Sequence, residues 1–274
     1  MATKNFIPAI WSETLLKSLD REYVAVMNCN RDYEGEIRNQ GDSVTIPTIG
    51  PISVFDYKSD TDMSAENLMD GATVTLTVDR AKAFCFQIDD ADRVQTKPDL
   101  MKNAMREAAC ALADEADKYI FSLYTKAAEG NIIEKSGVTA DSIVDVLIET
   151  RQRLMQKNVN SNTPVVMEVS PAIAALILKA KILTATDNTD ALTNGYLGSF
   201  VGFDVYVSNN IANDGNVWHC VARTKRAIAF AEKMKSVEAF RPEKRFADAV
   251  KGLHLYGAEV VYPNELVVLN LSVA

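Results

Sequence analysis

Apolar residues in this chain change period several times along its length, and each change marks an element. Around Ser12 and Glu13, the positions Trp11, Leu15, Leu16, Leu19 and Tyr23 recur at three- and four-residue spacing. A short amphipathic helix is expected there, ending before the polar run Asn28 to Asp32. Such a helix is marginal by itself, so its apolar face needs a partner, either the body of the same chain or a neighbouring copy. From Gly41 the period falls to two. Ser43 to Pro47, Ile52 to Tyr57 and Ala72 to Val78 read as strands, the last with clean Thr/apolar alternation. Between the last two, Lys58 to Gly71 is polar and longer than a tight turn needs. The pattern predicts a projecting β-arm, a two-stranded ribbon with one wettable face that gains stability by lying on another surface.

The period then returns to that of a helix. Pro98 occupies a first helical position, and Met101, Met105, Leu112, Ala116, Ile120 and Leu123 follow on one stripe. Run from Pro98 to Glu129, this helix would be about 45 Å long at the usual rise per residue. A second amphipathic helix is expected over Asp141 to Lys157, a strand over Pro164 to Val169, and a short apolar helix from Pro171. Thr184 to Gly202, rich in Thr, Asn, Asp and Gly, reads as a long exposed loop. Five strand-like runs complete the chain: Phe203 to Val207, Val217 to Val221, Ala227 to Ala231, Ala249 to Tyr256 and Leu266 to Val273. The class is α+β with a mixed α/β module, and there is no internal repeat.

Composition narrows what such a chain can do. With 47% hydrophobic and 24% charged residues it can bury a core, and 274 residues fit one large domain or two smaller ones. Against 37 acidic residues stand 29 Lys+Arg, a net charge of -8. No long-range field draws this protein to nucleic acid or an anionic membrane, which argues against a specific DNA or RNA binder. Cys29, Cys85, Cys110 and Cys220 are widely spaced and form no CxxC pair, so free thiols are expected. The start of the sequence lacks a signal-peptide apolar stretch, and Ile173 to Leu178 is too short to span a bilayer, so no membrane partner is expected.

The catalytic inventory is close to empty. Only His219 and His254 could serve histidine chemistry, and neither has a nucleophile or acid nearby in sequence. His219 and Cys220, adjacent on a strand, point to opposite faces and cannot chelate one metal. Asp89, Asp90 and Asp92 lack the glycine and distal glutamate of a calcium loop and read as helix-entry charges. Gly195 to Gly202 matches neither phosphate-binding glycine pattern, so it supplies turns. Lys225-Arg226 and Lys244-Arg245 read as strand-face or interface charges. No catalytic residue, cofactor or metal is expected. An α/β enzyme would need polar groups gathered from distant segments.

Several stretches, taken in order, resemble the major capsid proteins of tailed bacteriophages. They are Ile7 to Ser12, Asn30 to Pro47, Asp56-Tyr57, Asp79 to Phe84, Ile88 to Asp92, Ala113 to Lys118, Gly202 to Asn210 and Phe246 to Leu253. The resemblance implies the Hong Kong ninety-seven capsid fold, divided as an N-terminal arm (1–42), an extended β-hairpin loop with flanking strands (43–92), a spine helix in a peripheral domain (93–135), an axial domain (136–229) and returning strands shared by both (230–274). It also implies self-assembly into hexamers and pentamers of an icosahedral virion shell around double-stranded DNA, made in the host bacterial cytoplasm. A mildly acidic wall suits a genome held only by loose non-specific contact. Family-like sequence begins within ten residues of Met1, so a separate scaffolding protein is expected, together with a portal. Trp11, Leu15, Tyr57, Lys58, Asp60 and Leu68 are the expected subunit-interface residues. Some relatives cross-link a loop lysine to a neighbour's asparagine, but no acceptor aligns here, and Lys58 reads as a solvated or interface lysine. An encapsulin-like compartment, which shares the fold, is the alternative.

Overall fold

The structure, a computed structural model, describes residues 15, 18–19, 22–36, 39–48, 73–89, 100–160, 162–180, 196–200, 202–243 and 246–273. The expected strand from Ile52, the arm tip from Lys58 to Gly71, the helix entry at Pro98 and most of the Thr184 to Gly202 loop lie outside the described residues.

Twelve strands and three α-helices are described. Strand β1 (Ser43–Pro47) pairs antiparallel with β2 (Thr73–Thr77), Ser43 opposite Thr77 and Pro47 opposite Thr73. The expected ribbon set the 72–78 run against Ile52 to Tyr57, which lies outside the described residues; among those described, the partner of β2 is the 43–47 run, with the expected alternation on both strands. Val44, Ile46 and Leu76 are buried, and Thr45, Thr75 and Thr77 are exposed. The buried face, with Val78, packs on Ala229, Ala231, Leu255 and Val261.

A second sheet joins β10 (Ile228–Phe240), β11 (Ala247–Val260) and β3 (Arg80–Asp89), in that order and all antiparallel. Two of these strands run well beyond their expected cores at 227–231 and 249–256. Strand β3 was not expected at all. On it Lys82, Phe84, Phe86 and Ile88 are half-buried, while Ala81, Ala83 and Cys85 occupy the exposed face. With small apolar residues outside and a lysine inside, the period of two is hidden in sequence.

The third sheet is mixed, in the order β4 (Ile132–Val138), β12 (Leu266–Val273), β9 (Val217–Thr224), β5 (Val165–Val169), β7 (Phe203–Val207) and β6 (Tyr196–Phe200), with the short β8 (Asn213–Asp214) hydrogen-bonded to β9. Strands β4 and β6 sit at its edges and were also unexpected. Strand β6 falls where turns were read, and β4 carries only two fully buried apolar side chains, Ile133 and Val138.

The long helix α1 spans Leu100–Ser122, about 35 Å at the usual rise per residue, and is shorter than expected. A 3-10 turn, Leu123–Lys126, follows, and Ala127 is extended. No helix-breaking residue stands here, so tertiary contacts end the helix. Tyr124 stacks on His219 with ring centroids 4.2 Å apart. Ala128 donates to the Pro263 carbonyl, and the Asn131 side chain donates to the carbonyls of Asn264 and Leu266. Gly130, at φ +86, takes the left-handed conformation that lets the chain turn into β4.

Helices α2 (Ser142–Gln156) and α3 (Pro171–Lys179) match expectation closely. Pro171 opens α3 behind Ser170, whose hydroxyl accepts from the Ile173 N–H as an N-cap. Both helices cover one face of the mixed sheet, burying Ile143, Leu147, Leu154, Ile173 and Ile177 against Val165, Met167, Leu269 and Leu271. The other large core lies between α1, the N-terminal segment and the three-stranded sheet. Leu15, Leu19, Tyr23 and Val26 meet Met105, Leu112, Ala116, Phe230 and Tyr256 there. Leu15, Ser18, Leu19 and Glu22 are helical, so the marginal N-terminal helix finds its partner in its own chain. Among the described residues no helix is long and apolar enough to cross a membrane.

Candidate functional site

The chemistry this chain carries in its interior holds parts together. Residues Val24 to Arg31 thread between α1 and both larger sheets, and polar side chains from α1, β5, β9 and β10 bond to them. The 3-10 turn Val26–Asn28 leaves the preceding N–H groups without intrahelical partners. The Asp117 carboxylate, from α1, accepts all three, from Val24 (2.9 Å), Ala25 (3.0 Å) and Val26 (3.1 Å). From β9, Arg223 supplies the complementary cap, donating to the carbonyls of Ala25 (2.9 Å) and Asn28 (2.6 Å).

Arg223 is itself held by a two-pronged pair with Glu168 of β5, through Nε at 3.0 Å and a terminal nitrogen at 2.7 Å, and both side chains are 0% exposed. Asn28 donates to the same carboxylate at 3.3 Å. Burial pushes Glu168 upward, opposed by the Arg223 charge. Asp117 is pushed up to about 7, because its burial outweighs three N–H donors and nearby Glu168 adds to the push.

A second anchor lies on the three-stranded sheet. Glu232 of β10 accepts from the Tyr23 hydroxyl at 2.5 Å and from Arg31 at 2.7 Å, and lies 2.8 Å from Nε2 of His254 on β11. Although burial works to raise Glu232, His254, Tyr23 and Arg31 together hold it below the usual carboxylate range. Backbone bonds add a third fastening, Asn30 N–H to the Ile228 carbonyl and Phe230 N–H to the Asn30 carbonyl.

The arm is rooted beside this hub. Where β2 crosses β11, Gly257 leaves no room for a side chain, since a Cβ there would lie 2.2 Å from the Thr77 carbonyl oxygen and 2.9 Å from Val78 Cα. Tyr119 of α1 donates to Asp79 at 3.2 Å, Arg80 lies over the Tyr119 ring, and Lys82 pairs with Glu115 at 2.7 Å. The arm's root is therefore fixed to both the sheet and the long helix.

Of the six expected interface residues, the structure describes only Leu15, which is buried in the chain's own core. Trp11, Tyr57, Lys58, Asp60 and Leu68 lie outside the described residues, as do Asp90, Asp92, Lys244 and Arg245. Arg226 pairs with Glu265, so one of the two basic dipeptides belongs to an intrachain ion pair. His219 and Cys220 do face opposite ways. Cys220 packs under α2 and α3, whereas His219 sits 2.7 Å from Asn270 and 3.3 Å from Asp214 and stacks on Tyr124. No cluster of three metal-ligating side chains occurs among the described residues.

All four thiols are free. Burial raises Cys29 to about 11 and Cys220 to about 12, while Cys85 is exposed on β3. Iodoacetamide at neutral pH is expected to label Cys85 and to spare Cys29 and Cys220 until denaturant is added. Peptide mass spectrometry reads this directly, and rapid labelling of Cys29 in the native protein would contradict the hub described above.

Sequence reasoning missed the hub, yet it left a signal. Glu168 is the one charged residue in the five-residue strand Val165–Val169, every position of which is buried. A carboxylate inside a strand covered on both faces requires a cation beside it. Asp117 left no comparable signal, because it is one of several carboxylates on the same helix.

A family model described as phage capsid protein matches residues 71–269. No curated protein matches the chain. Among solved structures, one from Mycobacterium phage Che8 is 28% identical, with a TM-score of 0.67 and 90% of each chain covered. The capsid of Ralstonia phage GP4 is 11% identical at a TM-score of 0.67, covering 89% of this chain and 86% of that one. The SrpI encapsulin complex of Synechococcus elongatus PCC 7942 shares the fold at 11% identity and a TM-score of 0.58, covering 85% of this chain and 83% of that one. The family model takes in well over half of the sequence, and on that match the chain belongs to the phage capsid protein family, as a major capsid shell protein with the Hong Kong ninety-seven type of fold.

Proposed function

We propose that this shell protein works without catalysis, assembling through hexamers and pentamers into an icosahedral wall around double-stranded DNA in the host bacterial cytoplasm. The observation that carries the reading is the β1–β2 ribbon. It buries one face on its own subunit and keeps a row of threonines, Thr45, Thr73, Thr75 and Thr77, exposed on the other. A two-stranded ribbon is marginal alone, and that wettable face is suited to lie across a neighbour. In this reading residues 1–42 form an arm, 43–92 the extended loop, 93–135 the peripheral unit, 136–229 the axial unit, and 230–274 the strands returning to both. Trp11, Tyr57, Lys58, Asp60 and Leu68 would meet other subunits, a separate scaffolding protein and a portal would direct closure, and packaged DNA would touch the wall without sequence preference.

Co-expression of the full chain with its scaffolding partner, followed by electron microscopy of the sedimenting fraction, tests this. Uniform closed shells or capsomer rings are expected. A monomer under every assembly condition would sink the proposal. The fold shared with an encapsulin keeps a protein-filled compartment as a second reading. Nuclease-protected DNA inside the particles, and no enzyme cargo, separates the two.

A further inference from the structure

The three-stranded sheet has two edges, and they are built differently. Along β10 the edge is interrupted. Its register with β11 shifts between Met234 and Ser236, Asn30 bridges Ala229 near its start, and Lys233 and Glu238 are exposed on it. Bulges, covering segments and charges are the means by which sheets discourage a further strand. Strand β3 lacks these devices along most of its length. Its ten residues pair with β11 without a register shift, from Arg80 opposite Tyr256 to Asp89 opposite Ala247. Among the described residues it has no other strand partner. The run Ala83 to Ile88 holds no charge, proline or glycine. Phe84 leans inward over Gly252 of β11, where a Cβ would lie 2.3 Å from its ring, and so does not shield the edge.

We infer that β3 is a docking edge for the β3 strand of a second copy of this chain, antiparallel about a two-fold axis at Cys85, so that two three-stranded sheets continue as one.

Charge selects the direction. Strand β3 begins with Arg80 and Lys82 and ends at Asp89. A parallel partner would set like charges side by side, whereas an antiparallel one sets the basic end of each strand beside the acidic end of the other. The alternation of faces then limits the register. Lys82, Phe84, Phe86 and Ile88 are half-buried on the α1 side, and Ala81, Ala83, Cys85 and Gln87 are exposed on the other, so even positions must face even and odd face odd. Centring on Phe84 would put Asp89 opposite Asp79 and Lys82 opposite Phe86. Centring on Phe86 would leave residues 80–82 opposite positions beyond the end of the strand. Centring on Cys85 pairs Lys82 with Ile88, Ala83 with Gln87 and Phe84 with Phe86, and sets Asp89 between the partner copy's Arg80 and Lys82. A two-fold contact of this kind is self-complementary. The inference deepens the shell reading and rests on it for one point, that copies of this chain meet one another.

Cys85 supplies the test, because it is exposed and its thiol is free. Full-length chains are taken through assembly, one portion is imaged by electron microscopy, and the rest is oxidised with copper phenanthroline and run on a gel without reductant. A Cys85–Cys85 dimer is expected in the parent, identified by peptide mass spectrometry and absent from Cys85→Ser. Random collision of exposed thiols could also link Cys85, so register decides. In the Cys85→Ser background, Ala83→Cys and Gln87→Cys change exposed positions of the same face. Positions 83 and 87 lie opposite each other across the axis, whereas each is about 13 Å from its own counterpart. Mixed together, the two variants should therefore link on the order of fivefold more than either alone, since a disulfide cannot span the longer distance. Linking of Ala83→Cys alone as readily as the mixture overturns the proposal, and so does a parent in which Cys85 stays reduced. The micrographs keep the two readings apart. Shells without linked chains overturn the strand pairing and leave the shell reading standing, whereas chains linked in register that never close into shells support the pairing and count against the shell.

Discussion

Arg223→Met is expected to lower the unfolding free energy of the dissociated subunit by about 3–5 kcal/mol, because it strands a buried carboxylate. Glu168 loses its cation at a site that is 0% exposed, and in the same step the Asn28 carbonyl loses its Arg223 donor and the Ala25 carbonyl loses one of its donors. The companion Glu168→Leu/Arg223→Met double replacement separates the two effects. Removing both charges relieves the stranded carboxylate, and buried pairs replaced by apolar residues are often neutral. The Asn28 carbonyl is left without its Arg223 donor, at a cost of about 1–3 kcal/mol, while the Ala25 carbonyl still accepts from the Asn28 N–H and the Cys29 thiol, so the double variant should recover part of the loss and stay below the parent. Urea denaturation followed by fluorescence measures all three proteins. Full recovery in the double variant would mean that Arg223 serves the ion pair alone and does not cap the N-terminal segment. Arg223→Lys should behave more like Met than like Arg, since one ammonium cannot reach a carboxylate and two carbonyls in a fork.

The second large effect is expected at Gly257. An added methyl group would sit 2.2 Å from the Thr77 carbonyl oxygen, and backbone cannot rotate away as a side chain could. Gly257→Ala should cost about 1–3 kcal/mol as an overpacked contact. Its larger consequence is geometric. The strain is relieved most easily by lifting the end of β2 from β11, which tilts the whole β1–β2 ribbon about its root. Subunits are expected to fold with a modestly lowered melting temperature and to form aberrant particles or none. Normal shells from Gly257→Ala would show that the arm's angle is set elsewhere, in the Tyr119, Asp79 and Arg80 contacts or at the neighbouring subunit.

Much of the fold was legible because burial followed period. Leu15, Leu19 and Tyr23 lie on the buried stripe that their spacing predicted, Pro171 opens a helix, and the arm's threonines alternate with Val44, Ile46 and Leu76. The resemblance to phage capsid proteins agrees with the family match and the fold. What escaped had physical causes. Strand β3 places Lys82 on its inner face and alanines outside, β4 buries too few apolar groups to announce itself, and α1 stops where Tyr124 meets His219, a residue 95 positions later in the chain. The hub joins Asp117, Glu168 and Arg223 from three elements, and no local pattern encodes such a meeting. The arm tip, where Tyr57, Lys58, Asp60 and Leu68 were assigned to contacts, remains a proposal about neighbours.

Strand β12 lies between β4, with which it runs parallel, and β9, with which it runs antiparallel. Neither neighbour can complete its ladder until residues 266–273 have been synthesised, and Val268 pairs with Ile132, made far earlier. At roughly 5–20 residues per second of synthesis, β4 waits many seconds for its partner. During that interval the mixed sheet is split, and Ile133 lacks the Val267, Leu269 and Leu271 cluster that covers it in the finished chain. A partly made subunit therefore cannot present a finished surface to its neighbours. Late placement of a central strand thus makes closure of the mixed sheet one of the last steps in building the subunit.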